Sequence, residues 1–194
     1  IKDKRIKKYF LKKHVGRTKA LNFGLSKCKG KYIAILDADD IANKDRLKKQ
    51  INFLQKSKNY QIVGSNVILI DKRGNKIKKF YIPNNFHELN KKILFKNYLP
   101  HSSIMFKKMF LKKTGLYPNN LKYAQDYGLI LKFALKTKIY ILNDVLVKCR
   151  ILKNSMTYLD SYSLTRDKEK IYLLFFSLRK FNLNLFKKFV IITL

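Results

Sequence analysis

Acidic residues are few in this sequence: twelve Asp and Glu stand against 44 Lys and Arg, for a formal net charge of +32 over 194 residues. Such an imbalance would suit phosphate backbones if the cations were clustered. They are spread along the chain instead, and no RNP, helix-turn-helix or zinc-finger signature accompanies them. A specific nucleic-acid site is therefore not expected. The spread charge reads as a solvated basic surface, with an anionic membrane surface or a polyanionic substrate as candidate partners. Cysteine is also scarce. Cys28 and Cys149 are far apart and outside any Cys-x-x-Cys or Cys/His pattern, so neither a zinc site nor a disulfide has support. A reducing compartment is expected. No apolar run reaches the roughly 20 residues of a membrane span. The nearest, residues 175–194, is interrupted by Arg179, Lys180, Lys187 and Lys188. The charged residues 1–5 are not followed by the apolar stretch of a signal peptide. The expected location is cytoplasmic, peripheral at the inner face of the cell membrane. Internal repeats and low-complexity linkers are absent.

What is present is a globular composition, 46% hydrophobic and 13% aromatic, in a chain long enough for one domain with a sizeable core. Residues 18–27 read as a helix whose small residues Ala20, Gly24 and Cys28, four apart, would let it lie close to a sheet. Residues 32–36 are a continuous apolar run, as in a strand buried on both faces. Asn43 suits a cap for the next helix, with Leu47, Ile51 and Leu54 as its apolar stripe. Ile62 and Val63 open a strand that residues 67–70 continue, and the turn signal at 71–75 makes a hairpin. Further strands are expected at 103–106, 139–142 and 145–151, a helix at 127–135, and a break at Gly115 and Pro118. The alternation predicts an α/β domain with a largely parallel sheet and helices on both sides.

Asp37, Asp39 and Asp40 directly follow the apolar run 32–36. In an open α/β sheet, ligands bind at the carboxyl ends of strands. Clustered carboxylates repel one another unless a cation joins them. Hard oxygen ligands suit Mg²⁺ or Mn²⁺, which in turn hold phosphate oxygens. The spacing alone equally allows a polar loop at the start of the next helix.

The flanking residues add a second kind of information. Gly16-Arg17-Thr18-Lys19-Ala20-Leu21-Asn22-Phe23-Gly24, then Gly30-Lys31-Tyr32-Ile33-Ala34, then Asp37-Ala38-Asp39 together resemble the family 2 glycosyltransferases. Arg46-Leu47-Lys48-Lys49-Gln50, Ile62-Val63-Gly64-Ser65, His101-Ser102-Ser103, Gln125-Asp126-Tyr127 and Cys149-Arg150 continue the likeness across roughly residues 14–156. The resemblance implies a GT-A-like (Rossmann-like) fold with a central, mostly parallel sheet, and puts residues 37–40 at the end of a central strand. It also implies a nucleotide-sugar donor, a glycan or lipid-linked acceptor, and Mn²⁺ or Mg²⁺ as cofactor. On that basis Asp39 and Asp37 would serve the metal. Asp126 would be the catalytic base of an inverting transfer, although the start of a helix also suits it as a cap. Arg17, Arg150 and His101 would face the donor; each also has an ordinary structural reading. Gln125 stands where the family usually has Glu, which bears on the acceptor. The family's opening strand and its Asp-Asp-Gly-Ser loop have no counterpart here, so the chain reads as N-terminally truncated.

Residues 1–157 are thus expected to form a partial catalytic domain and 158–194 an amphipathic helical tail. In the tail, Leu173, Leu174, Phe175, Phe176, Phe181, Leu183, Leu185, Phe186 and Phe189 alternate with cations, which suits either a membrane interface or a helix packed on the core. The leading functional expectation is a glycosyltransferase of cell-surface polysaccharide or glycoconjugate synthesis. The alternatives are an inactive glycosyltransferase-like scaffold and a basic polyanion-binding protein.

Overall fold

The computed structural model describes residues 3–82, 86–152 and 164–180. Alternation along its strands sets the layering, because successive strand side chains face opposite ways. In β1 (Tyr32–Ala34), Ile33 enters the larger apolar cluster, whereas Tyr32 and Ala34 border a smaller one. Ile62 and Val63 divide in the same way in β3 (Tyr60–Ile70), as do Phe106 and Met105 in β5 (Met105–Lys107). Ile139 and Ile141 oppose Tyr140 and Leu142 in β6 (Lys138–Arg150). The sheet is therefore apolar on both faces and carries helices on both.

Helix α2 (Arg46–Lys56) covers the smaller cluster with Leu54, and Phe53 stacks on Tyr140 at 4.4 Å between ring centroids. The other face carries α1 (Arg17–Lys27), α3 (Phe86–Ile93), α5 (Gln125–Ala134) and α6 (Leu164–Lys180), which contribute Leu25, Ile93, Phe133 and Leu173 to the core. Residues 158–163 and 181–194 of the expected tail lie outside the described residues. Among the described residues no helix is long and apolar enough to cross a membrane.

The strands follow the order β1-β5-β3-β6-β2, with β2 at Ile41–Ala42, and β4 (Lys76–Phe80) pairs with β3 through the expected hairpin. β3 and β6 are parallel, and β5 is antiparallel to both β1 and β3. β1, β3 and β6 thus run the same way, in a mixed α/β domain as expected. Four local expectations are corrected. β1 is not central: it ends the path of described strands and pairs with β5 alone. Its other side opens into a groove of about 410 Å³ lined in part by Ala20, Gly24, Cys28, Ile33 and Leu36. For the same reason Ala20 and Gly24 are exposed rather than pressed on a sheet, and a Cβ at Gly24 would meet nothing within 4 Å. On α2, Leu47 is 54% exposed, and the buried face is Arg46, Gln50 and Leu54. The two strands expected at 139–142 and 145–151 are one strand, whose pairing with β3 shifts register beside Asn143 and Asp144.

Candidate active site at the strand ends

Because β5 runs against β1, the single helical turn that leads into it, His101–Ser103, lies at the sheet edge where β1 ends. Buried polar side chains fasten the two together. Arg46 Nη2 donates to the carbonyls of Ile35 (2.8 Å) and Ile104 (3.1 Å), and Gln50 Nε2 donates to that of Ser103 (2.7 Å). Arg46 is 1% exposed, and burial pulls its guanidinium down to about 10, still charged at neutral pH. The acidic turn that follows β1 therefore rests on a rigid base.

Asp37 opens that turn. Its N–H donates to Ser102 Oγ at 3.0 Å, and Arg17 Nη2 donates to its carboxylate oxygens at 3.1 and 3.0 Å. Arg17 begins α1 directly after Gly16, whose φ of 81° is the left-handed region that favours glycine. His101 Nδ1 lies 3.5 Å from Asp37 Oδ1, and a 2.8 Å hydrogen bond joins Nε2 to the Tyr117 hydroxyl. His101, then Arg17, hold the Asp37 carboxyl below the usual carboxylate range against the opposing effect of burial. His101 Nδ1 is itself buried and makes no hydrogen bond among the described residues.

Asp39 has an exposed side chain, and its carbonyl accepts from Arg150 Nε at 3.0 Å. Arg150 also donates through Nη1 to the carbonyls of Asp71 and Lys72, both at 2.8 Å, and through its own N–H to Asp40 Oδ1 at 2.8 Å. It thereby ties the acidic turn to the β3–β4 hairpin. Burial, with the nearby Asp40 carboxylate, pushes the Cys149 thiol up to about 12, so it stays protonated.

Asp126 stands in the first turn of α5. Asn97 Nδ2 donates to its Oδ2 at 3.1 Å, and Asn97 is oriented in turn by the Leu99 N–H, which donates to Asn97 Oδ1 at 3.0 Å. Gly128 lets the turn at Pro118 and Leu121 lie against α5; a Cβ there would come within 2.8 Å of both side chains. The same turn is held to α1, where Thr18 Oγ1 donates to the Leu121 carbonyl at 2.6 Å and Asn22 bonds the backbone of Tyr117 in both directions.

The structure thus gathers Arg17, Asp37 and His101 into one cluster, with Asp39 in the same turn and Arg150, at the end of β6, bonded to that turn. No hydrogen bond or ion pair joins Asp126 to them among the described residues. Tyr117 joins this cluster through His101, and burial first, then the charges of Asp126 and Asp37, hold its hydroxyl protonated well above the usual tyrosine range. Sequence reasoning missed Tyr117, Asn97, Ser102 and the buried Arg46–Gln50 pair. Only the helical spacing of Arg46 and Gln50, four apart with Leu54, carried any signal.

No group of three or more His, Cys, Asp or Glu placed to hold a metal occurs among the described residues. Mg²⁺, however, is commonly held by one or two carboxylates together with substrate phosphates. Hard oxygens on an accessible turn, at Asp37 and Asp39, fit that chemistry.

A sheet of this topology with an acidic turn at its strand ends is a GT-A-like fold. Two solved structures share it, each aligning with 87% of this chain at a TM-score of 0.56 and 18% identity. They are residues 1–349 of TarS from S. aureus in complex with UDP-GlcNAc, aligned over 54% of that chain, and the mannosyltransferase PcManGT from Pyrobaculum calidifontis in complex with GDP-Man and Mn²⁺, aligned over 45%. The family model described as "Glycosyl transferase family 2" matches residues 1–115, and the chain belongs to that family. An uncharacterised glycosyltransferase of Methanocaldococcus jannaschii is 37% identical over 88% of this chain and 58% of its own length. The amylovoran biosynthesis glycosyltransferase AmsE of Erwinia amylovora is 33% identical over 72% and 52%. The O-antigen biosynthesis glycosyltransferase WbnJ of Escherichia coli is 35% identical over 67% and 50%. The chain therefore spans about half the length of the curated relatives it matches.

Proposed function

We propose that this chain carries the catalytic centre of an inverting glycosyltransferase. The donor is a nucleotide-diphosphate sugar, and the acceptor is a hydroxyl of a glycan or lipid-linked molecule in cell-surface polysaccharide synthesis. The observation that carries the reading is the acidic turn at the end of β1, where Arg17 and His101 meet Asp37 and the Asp39 side chain is exposed. Asp37, beside a guanidinium and an imidazole, and Asp126, beside a neutral amide, have separate surroundings that suit two roles, leaving-group support and proton acceptance. The acceptor oxygen attacks the anomeric carbon as the bond from that carbon to the diphosphate oxygen breaks. Asp126 takes the acceptor proton, on the face opposite the diphosphate. Asp39 and Asp37 would hold Mn²⁺ or Mg²⁺, which when bound neutralises charge on the diphosphate. Arg17, engaged with Asp37 here, is placed to turn toward phosphate oxygens, which Arg pairs with well. The enzyme works at the cytoplasmic face of the membrane, drawn to anionic lipid by the net charge of +32.

In the natural-length protein with Mn²⁺ and a nucleotide sugar, Asp126→Asn should leave donor binding intact. Release of nucleoside diphosphate should fall by roughly 10²–10⁴-fold, as expected for loss of a general base. Near-normal turnover in that variant would assign the base to another residue.

A further inference from the structure

We propose that Glu169 is a positioning residue for Asp126, which makes α6 part of the active site; the inference rests on the reading of Asp126 as the base. Glu169 is one of two glutamates in the chain and is only 7% exposed. Its Oε1 accepts the Lys122 N–H at 2.6 Å, and its Oε2 accepts those of Tyr123 (2.9 Å) and Ala124 (2.8 Å). Ala124 is the N-cap residue of α5, and Asp126 is the second residue of that helix. The backbone that aims Asp126 is thus fixed by an acceptor 45 residues downstream of Ala124.

Two consequences follow for the base. Glu169 accepts the N–H of the N-cap residue Ala124 and of the two residues before it, and so fixes the entry of the chain into α5. It also occupies donors that would otherwise draw an anion, including the carboxylate of Asp126 itself. The hold is double, because α6 reaches the other segment that touches Asp126. Ser177 Oγ donates to the Leu94 carbonyl at 3.0 Å, just before Asn97, whose amide bonds Asp126. Leu173, 2% exposed in the core, seats the helix between these two attachments.

The test uses the natural-length protein with Mn²⁺ and UDP-GlcNAc or GDP-mannose, reading nucleoside diphosphate release alongside amide hydrogen exchange. Glu169→Gln, which keeps one acceptor oxygen, should lower kcat about 10-fold, and Glu169→Ala about 100-fold, the scale of a misplaced catalytic group, with donor KM within about twofold. Exchange at the amides of Lys122, Tyr123 and Ala124 should quicken in both. Tyr140→Ala, which loosens the smaller apolar cluster on the opposite face of the sheet, should lower Tm and leave kcat within about twofold. If Glu169→Ala does not fold, the Gln variant carries the comparison. A kcat loss in Tyr140→Ala equal to that in the Glu169 variants, or a rise in KM in place of a fall in kcat, would overturn the proposal. Asp126→Asn run beside them separates the two ideas. Wild-type kcat there defeats the base assignment, and with it the catalytic role of Glu169, even where exchange shows the loop released.

Discussion

Asp37 lies against a guanidinium and an imidazole, whereas Asp126 takes its hydrogen bond from the neutral amide of Asn97. Their backbones are also held by opposite means. The turn of Asp37 is fastened by the cations Arg46 and Arg150 through carbonyl oxygens, and the loop before Asp126 by the anion Glu169 through N–H groups. The contrast fits a division of labour. A carboxylate that is to hold a cation is stable beside one when no ligand is bound. A carboxylate that is to accept a proton is better left with a neutral partner, because a fixed cation would favour its charged form.

Arg46→Met should act on the first half alone. It removes two charged hydrogen bonds from the ends of β1 and β5 and leaves buried carbonyls unpaired, which costs about 3 kcal/mol. Thermal or denaturant unfolding would measure the loss, and faster exchange confined to residues 32–37 and 101–106 would place it. Equal loss of protection in α5 would mean that the halves are one rigid unit. Tyr117→Phe is the smaller change and tests the link between them. Losing its bond to His101 should cost about 1 kcal/mol. The His101 and Arg17 resonances should shift while those of Asn97 stay in place; movement at Asn97 would show that the halves are coupled through Tyr117.

The parts legible in the sequence were those in which local pattern and chemistry agree. The acidic turn, the hairpin with Gly74 at a φ of 93°, and helices α1 and α5 all stand within a residue or two of their expected limits. What stayed hidden depends on distant partners. Arg46 and Gln50 fell outside the expected stripe of Leu47, Ile51 and Leu54, because their partners, the carbonyls of Ile35, Ser103 and Ile104, belong to other segments. A strand of two residues, such as β2, carries too little pattern to be read at all. The polar pair Asn143 and Asp144 divided β6 in the sequence, where the structure only shifts register. The edge place of β1 follows from strand order, which no single segment encodes. Glu169 sits in a helix rich in cations, and its role shows only through three amides 45 to 47 residues away.

The most direct test of the central claim, that the acidic turn and Asp126 serve one donor site, is anomalous diffraction from crystals of the natural-length protein soaked with Mn²⁺ and UDP or GDP. The account predicts a manganese peak at the Asp39 carboxylate, with Arg17 released from Asp37 and Asp126 facing the same cleft. A manganese peak away from residues 37–39, or Asp126 on the far side of the sheet from it, would contradict the account.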